Sequence, residues 1–202
     1  WPGSRVARMK RLLMRAGLVL LALVVAVATP LLFALLGRRG APDGAEVNGI
    51  RIVRDGMVTV GVVPVTDTTV ALVDAGNDKT GAAILAELSS RKLGPEAVTA
   101  IFITHGHPDH IAGAALFPKA EIVSLDREVA LIEGREGAKG PLPRLMPVSA
   151  TGITVSRPVK DGEAVALGGT TVRAFAVPGH TAGSAAYLVN GVLFMGDAAD
   201  FG

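Results

Sequence analysis

The sequence predicts an α/β fold in which strands outnumber helices, preceded by a single membrane-spanning helix. Three observations support this prediction. An uncharged apolar run over residues 16–36 is long enough to cross a bilayer as a helix. After residue 50, short β-branched runs are closed by glycine or aspartate, as strands usually are. Between them lie stretches with apolar residues at helical spacing, placed where helices would cover the faces of a sheet.

The N-terminal region divides into a basic segment (residues 1–15), the apolar helix (residues 16–36) and a linker (residues 37–49) rich in turn-forming residues. Five basic residues precede the apolar run and two follow it, with no acidic residue before position 41. This excess predicts a cytoplasmic N-terminus and an exported body. The alternative is a secretion signal cleaved near residues 26–28. The apolar run continues past that point, so we favour an uncleaved anchor.

The body, residues 50–202, is predicted to alternate strands with a few helices. The pair Asn190-Gly191 indicates a tight hairpin between the last two strands. The predicted strands cover residues 58–65, 69–73, 98–104, 120–124, 153–156, 164–167, 170–177, 185–189 and 192–195, the first two paired antiparallel. The predicted helices cover residues 80–92, 109–117 and 126–133. Residues 134–147, with three glycines and three prolines, are predicted to form a loop.

Composition excludes several kinds of site. The chain has no cysteine, which rules out disulfides, iron–sulfur clusters and thiol nucleophiles. The net charge of +2 arises from the first 40 residues, because residues 41–202 hold all 18 acidic residues and only 13 of the 20 basic ones. This charge gives no support to nucleic-acid binding. We expect a membrane contact through the N-terminal helix, and the sequence makes no prediction of oligomeric state.

Three of the four histidines lie within six residues, in the run His-Gly-His-Pro-Asp-His at positions 105–110. An apolar strand is predicted to end here and a helix to begin, which is where α/β proteins expose reactive groups. Side chains two apart in an extended segment point the same way, so His105 and His107 can converge on one ion. The helix then turns Asp109 and His110 toward a second position. Imidazole suits zinc, iron and similar metals.

These motifs resemble the metallo-β-lactamase superfamily, in its glyoxalase II-like branch. The resemblance covers about residues 50–202. It rests on the histidine run, on Pro-Gly-His-Thr-x-Gly-Ser at residues 178–184, on Gly-Asp at residues 196–197 and on Asp-Ala-Gly at residues 74–76. It implies an αββα sandwich with two divalent metal ions, zinc first, with iron or manganese as alternatives.

The resemblance also implies a role for each matching residue. His105, His107 and His180 would hold the first ion, and Asp109 and His110 the second, with Asp197 bridging both. A hydroxide between the ions would be the nucleophile, and Asp109 would orient it as a catalytic residue. Asp74, Thr181 and Ser184 would support the ligands without binding metal.

There is one departure from the family pattern. Members with two full metal sites carry another histidine on a later loop, whereas this chain has none after His180. We therefore expect the sequence to end inside the fold, with an incomplete sandwich and a second metal site that lacks one ligand.

The resemblance implies a metal-dependent hydrolase of a small-molecule substrate, in which a metal-bound hydroxide attacks an ester, thioester or lactone bond. The glyoxalase II-like turn at residues 178–184 favours a small ester or thioester. Two alternatives stay open. One is a mononuclear iron oxidoreductase similar to persulfide dioxygenases, and the other is a non-catalytic domain tethered to a membrane.

Overall fold

The computed structural model describes residues 2–36, 41–137 and 149–198. Parts of the predicted linker (residues 37–40) and of the predicted glycine- and proline-rich loop (residues 138–147) lie outside these ranges. The chain divides into an N-terminal unit, Trp1–Arg39, and a body, Gly40–Ala199.

The N-terminal unit is a helix, α1 (Pro2–Leu36). Within it the segment Arg8–Thr29 has a mean hydropathy of 2.4, and none of it is buried. By length and composition this segment could cross a membrane. A signal sequence near an N-terminus has the same properties, so the helix by itself does not decide between an anchor and a signal.

The described residues of the body form two β-sheets. The larger has seven strands, in spatial order β1 (Glu46–Val47), β2 (Ile50–Asp55), β3 (Val58–Pro64), β4 (Val70–Val73), β5 (Val98–Phe102), β6 (Glu121–Leu125) and β7 (Arg157–Val159). Strands β1 to β4 pair antiparallel, and β4 to β7 pair parallel. The smaller sheet is antiparallel, and its four strands are β8 (Ala164–Leu167), β9 (Thr170–Ala176), β10 (Ala185–Val189) and β11 (Val192–Phe194).

The helices of the body are short. They are α2 (Ala82–Ser90), α3 (Pro108–Ile111) and α4 (Val129–Ile132), with 3-10 turns at Pro95–Ala97, Ala114–Leu116, Asp126–Glu128 and Gly196–Ala198. The predicted hairpin at Asn190-Gly191 is confirmed, since both residues have the positive φ values, 50° and 78°, that its tight turn requires. The antiparallel pairing of the first two predicted strands, now β3 and β4, is also confirmed.

Two predicted elements are corrected by the structure, and two strands were missed. Residues 153–156 are not a strand: the strand begins at Arg157, and Ile153 and Val155 pack into the core from the irregular segment before it. Its Pro158 concealed it from sequence analysis, although proline is tolerated in the edge strand that β7 forms. Strands β1 and β2 were missed because charged residues interrupt their apolar pattern. The predicted helix over residues 109–117 breaks after Ile111, where Gly113 N donates to Ala75 O instead.

The body is layered. Side chains on one face of the larger sheet pack against the helices, so that Leu72 and Ile101 of the sheet share a core with Ile84 of α2. Side chains on its other face pack against the smaller sheet, as Phe102 does against Tyr187. Strands β4 and the end of β5 are buried on both faces, as expected of central strands between two layers. In the described part of the body, no helix covers the outer face of the smaller sheet, so the structure shows three layers of the implied αββα sandwich.

The candidate ligand residues lie along one edge of this sandwich. Parallel strands β4, β5 and β6 end side by side and are followed by Asp74, His105 and Glu128. The turn between β9 and β10 carries His180, and Asp197 follows β11. Ala185 N donates to Thr104 O at 2.8 Å, which joins the two sheets at this edge.

Candidate metal centre

His105, His107 and His180 form the first group of side chains that could hold a metal ion. His107 Nδ1 lies 3.1 Å from His105 Nε2 and 2.9 Å from His180 Nε2. Imidazole nitrogens that bind one tetrahedral ion at about 2.0–2.1 Å would lie roughly 3.3 Å apart. The three nitrogens therefore already stand close to the spacing of a shared ion.

A second group consists of His105, His110 and Asp197, with one ligand atom from each within 4.8 Å of the others. Asp197 faces both groups, because its Oδ1 lies 3.3 Å from His110 Nε2 and its Oδ2 lies 3.7 Å from His180 Nε2. This position, between the two sets of histidines, is the one a bridging carboxylate would occupy.

Asp109 lies at the rim and belongs to neither group. Its Oδ2 is 3.9 Å from His110 Nε2, and its side chain is 40% exposed. The structure therefore brings together His105, His107, His110, His180 and Asp197, and leaves Asp109 beside them with its carboxylate open to solvent.

Asp74 holds the buried side of the centre. Its carboxylate accepts hydrogen bonds from Thr104 N at 2.8 Å and Thr104 Oγ1 at 2.8 Å, and it lies 2.8 Å from His110 Nδ1. Its own backbone has a φ of 62°, a left-handed conformation of the kind that accumulates at functional sites. Because Nδ1 of His110 is engaged by Asp74, only Nε2 of that ring faces the centre.

Thr181 and Ser184 close the turn that carries His180. Ser184 Oγ accepts a hydrogen bond from Thr181 N at 3.0 Å and lies 2.7 Å from Thr181 Oγ1, and both residues are buried. Among the hydrogen bonds of the described residues, neither hydroxyl reaches the ring of His180. Their influence on that ring therefore passes through the backbone of the turn.

Glu128 is a residue of this edge that sequence analysis missed. It is buried, and its carboxylate accepts hydrogen bonds from Gly106 N at 2.8 Å and Gly183 N at 3.0 Å. The neighbouring Asp126 and Arg127 are exposed, and the predicted helix there had no feature that separated Glu128 from a surface residue. The one available signal was its position shortly after strand β6, because the ends of β4 and β5 next to it are followed by Asp74 and His105.

Charge in the centre is unevenly distributed. Burial, helped by the neighbouring His110, lowers the pKa of His105 to about 3, and burial beside His180 lowers the pKa of His107. Burial opposes the charge of His110 as well, but Asp74 and Asp197 outweigh it and raise the pKa of that ring to about 10. The same His110 ring keeps the pKa of Asp197 well below its usual range.

These residues fit a bound metal. His110 Nε2 is the single buried side-chain nitrogen or oxygen of the described residues that lacks a hydrogen-bond partner, since its 3.3 Å approach to Asp197 does not have hydrogen-bond geometry. Buried polar atoms rarely stay unpaired without a ligand or a functional role. His105 and His107 are neutral at pH 7 and so offer lone pairs, and an ion at His110 would displace its proton.

Sequence comparison identifies related proteins. The model of the metallo-beta-lactamase superfamily matches residues 53–199. A hydroxyacylglutathione hydrolase of Vibrio cholerae is 33% identical over 131 residues, which are 65% of this chain and 42% of that protein. A hydroxyacylglutathione hydrolase of Photobacterium profundum is 37% identical over 98 residues, 48% of this chain and 32% of that protein. The chain thus spans less than half the length of these relatives.

Solved structures give a consistent result. BJP-1, a subclass B3 metallo-beta-lactamase of Bradyrhizobium japonicum, superposes with a TM-score of 0.60 at 26% identity, covering 74% of this chain and 57% of that one. The metallo-beta-lactamase MIM-1 of Novosphingobium pentaromativorans gives a TM-score of 0.56 at 26% identity, with 64% and 48% covered.

Proposed function

Because the chain belongs to the metallo-beta-lactamase superfamily, we propose that its body is a metal-dependent hydrolase of a small ester or thioester. The observation that carries the proposal is the convergence of five ligand-type side chains in two groups that share His105, one of which contains the buried, unpaired His110 Nε2. The choice of bond is supported by the relatives named hydroxyacylglutathione hydrolase, whose name describes a thioester.

We propose that two zinc ions bind here, one at each group, with Asp109 joining the second from the rim. His105, His107 and His180 would hold the first, His110 and Asp109 the second, and Asp197 would contact both. When bound, such ions lower the pKa of water and polarise a carbonyl oxygen, which is the chemistry that hydrolysis requires.

The chain's own residues then have distinct tasks. Asp74 keeps His110 oriented with Nε2 toward the centre, as a carboxylate behind a ligand histidine generally does. Asp109, partly exposed at the rim, can accept a proton from the attacking water and orient it. His180 and Asp197 stand on the open side, where a substrate can approach without displacing the core.

The test uses the full chain purified in detergent, with metal content measured by mass spectrometry. We expect zinc in the protein and hydrolysis of an acylglutathione thioester or an aryl ester that stops with a chelator and returns with zinc. His107→Ala is the control that removes one ligand. Iron as the sole metal would contradict the proposal, and so would an activity that resists the chelator and is equal in the His107→Ala variant. Hydrolysis of a β-lactam, but of no ester or thioester, would show that the proposed substrate class is wrong.

We also propose that the apolar run of helix α1, residues 16–36, which overlaps Arg8–Thr29, anchors the protein in a membrane, with the N-terminus cytoplasmic and the body exported. The support is the mean hydropathy of 2.4 and the excess of basic residues before the apolar run. A reporter enzyme that works only outside the cytoplasm, fused after Gly44, should be active in the membrane fraction. Activity in the soluble fraction would indicate cleavage, and activity of a cytoplasmic reporter alone would reverse the orientation.

A further inference from the structure

Glu128 lies where the two histidine-bearing loops come closest. It ends the 3-10 turn Asp126–Glu128 that follows strand β6, and it is 1% exposed. A carboxylate is costly to bury unless its oxygens find donors. Both donors here come from backbone, and each belongs to a different loop of the candidate metal centre.

The two hydrogen bonds divide the carboxylate between the loops. Oε1 accepts from Gly106 N, in the residue between His105 and His107. Oε2 accepts from Gly183 N, three residues after His180. The three histidines of the first group therefore lie on two loops, separated by more than 70 residues of sequence, that meet at one side chain.

Both histidine-bearing loops pack tightly against Glu128 or the helix that follows it. A Cβ at Gly183 would come within 2.6 Å of both Glu128 N and Glu128 Oε2. A Cβ at Gly106 would come within 2.8 Å of Ile132 N and 2.9 Å of the Leu131 side chain, on the helix that follows Glu128. Glycine at both positions lets the loops approach the carboxylate, so the bridge depends on the sequence of both loops.

We propose that Glu128 is a positioning residue that sets the spacing of the three-histidine group by holding both loops. It touches none of the three rings in the described hydrogen bonds and acts through backbone alone. Asp74 has the matching task for His110, so the two buried carboxylates support different groups. The inference rests on the proposed function, because the group matters only if it binds metal.

Because Glu128 and Asp74 support different groups, replacing Glu128 should weaken metal binding at one group selectively. Glu128→Gln keeps the shape of the side chain but offers one acceptor oxygen, so one of the two loops loses its partner and faces an NH2 donor. Loss of a supporting partner typically costs roughly 10–100-fold in metal affinity. We expect this loss of affinity for the ion held by His105, His107 and His180. The group that contains His110, supported by Asp74, should keep its affinity relative to the wild-type protein.

The matched control is Glu133→Gln. Glu133 lies just after helix α4, and its carboxylate accepts from Val155 N at 3.1 Å and pairs with Arg135 at 2.8 Å; among the described hydrogen bonds it reaches neither histidine loop. The same chemical change there also removes a loop contact. Both variants should lower the urea stability of the metal-free protein, but Glu133→Gln should leave metal binding unchanged.

The experiment titrates Zn²⁺ into the full chain, in detergent, against a chromophoric chelator, and records the visible spectrum of the Co²⁺ form. Weaker zinc binding and an altered cobalt spectrum in Glu128→Gln, with neither change in Glu133→Gln, would support the role. Wild-type affinity and spectrum in Glu128→Gln would overturn it while leaving the proposed function standing. A wild-type chain that binds no metal would overturn both.

If Glu128→Gln does not fold, Gly183→Ala decides the question. Its added Cβ pushes the His180 loop away from the carboxylate without changing any charge. Weaker zinc binding in this variant supports the bridge, and wild-type zinc affinity overturns it.

Discussion

The two sides of the candidate metal centre are built differently. On the buried side, His105 and His110 are 1% and 3% exposed, and the side chain of Asp74 bonds directly to the His110 ring. On the open side, the side chains of His180 and Asp197 are 33% and 37% exposed, and the loop of His180 is held through its backbone by Glu128. The buried side is therefore positioned by its own hydrogen bonds in the core, and the open side by the loops that carry it.

The largest effect is expected from His105→Ala, because His105 is the residue that the two groups share. The first ion loses one of its three histidines, and the second loses both the neighbouring His105 ring and the ion with which it shares Asp197, so both ions should be lost on dialysis and turnover should fall to the uncatalysed background. Metal content and turnover of the full chain measure this. A variant that keeps one ion and much of the activity would show that the two sides function independently.

Asp109→Asn should rank second and should separate activity from stability. Proton transfer by a positioned side chain contributes roughly 10²–10⁴-fold to rate, and the amide cannot accept that proton. Because the side chain is partly exposed, the free energy of unfolding should change by no more than about 0.5 kcal/mol. Wild-type turnover at normal metal content would remove Asp109 from the mechanism.

Asp74→Asn should weaken the buried side. It removes a charge that His110 and Thr104 both use, so metal affinity at the His110 group should fall roughly 10–100-fold. Loss of a buried acceptor should also cost about 1–3 kcal/mol of stability, measured by urea unfolding.

The control for Asp74 is Asp55→Asn. Asp55 is a buried carboxylate whose Oδ2 accepts from Asn77 N and Asp78 N, both at 2.7 Å, and in the described part of the chain it has no hydrogen bond to a histidine. It should lose comparable stability with unchanged metal affinity. Equal metal defects in the two variants would mean that Asp74 acts only by stabilising the fold.

The smallest effect is expected from Tyr187→Phe. The buried Tyr187 hydroxyl donates to Ile103 O at 3.0 Å, just below the histidine run. Removing this bond should cost about 0.5–1.5 kcal/mol without changing metal affinity or turnover, because Asp74 and the strand pairing still hold the buried side. A metal defect here would show that the buried side is less rigid than its hydrogen bonds indicate.

Periodicity and turn residues were sufficient for most of the body. The β-branched runs became strands, and Asn190-Gly191 became a hairpin. Prediction failed where tertiary contacts override local pattern. Pro158 is accepted in an edge strand, and the helix after His107 stops early because Gly113 bonds to the neighbouring Ala75 loop.

The sequence by itself determined the superfamily and the set of ligand-type residues, because the capacity to bind metal depends on residue types and short spacings, as in the run at positions 105–110. Only the tertiary structure decided which of those residues lie together and which residues support them. It placed Asp197 between two histidine groups, left Asp109 at the rim and revealed Glu128 beneath both loops. Such relations join strands and loops far apart in the chain, and burial and long-range hydrogen bonding leave no local pattern to read.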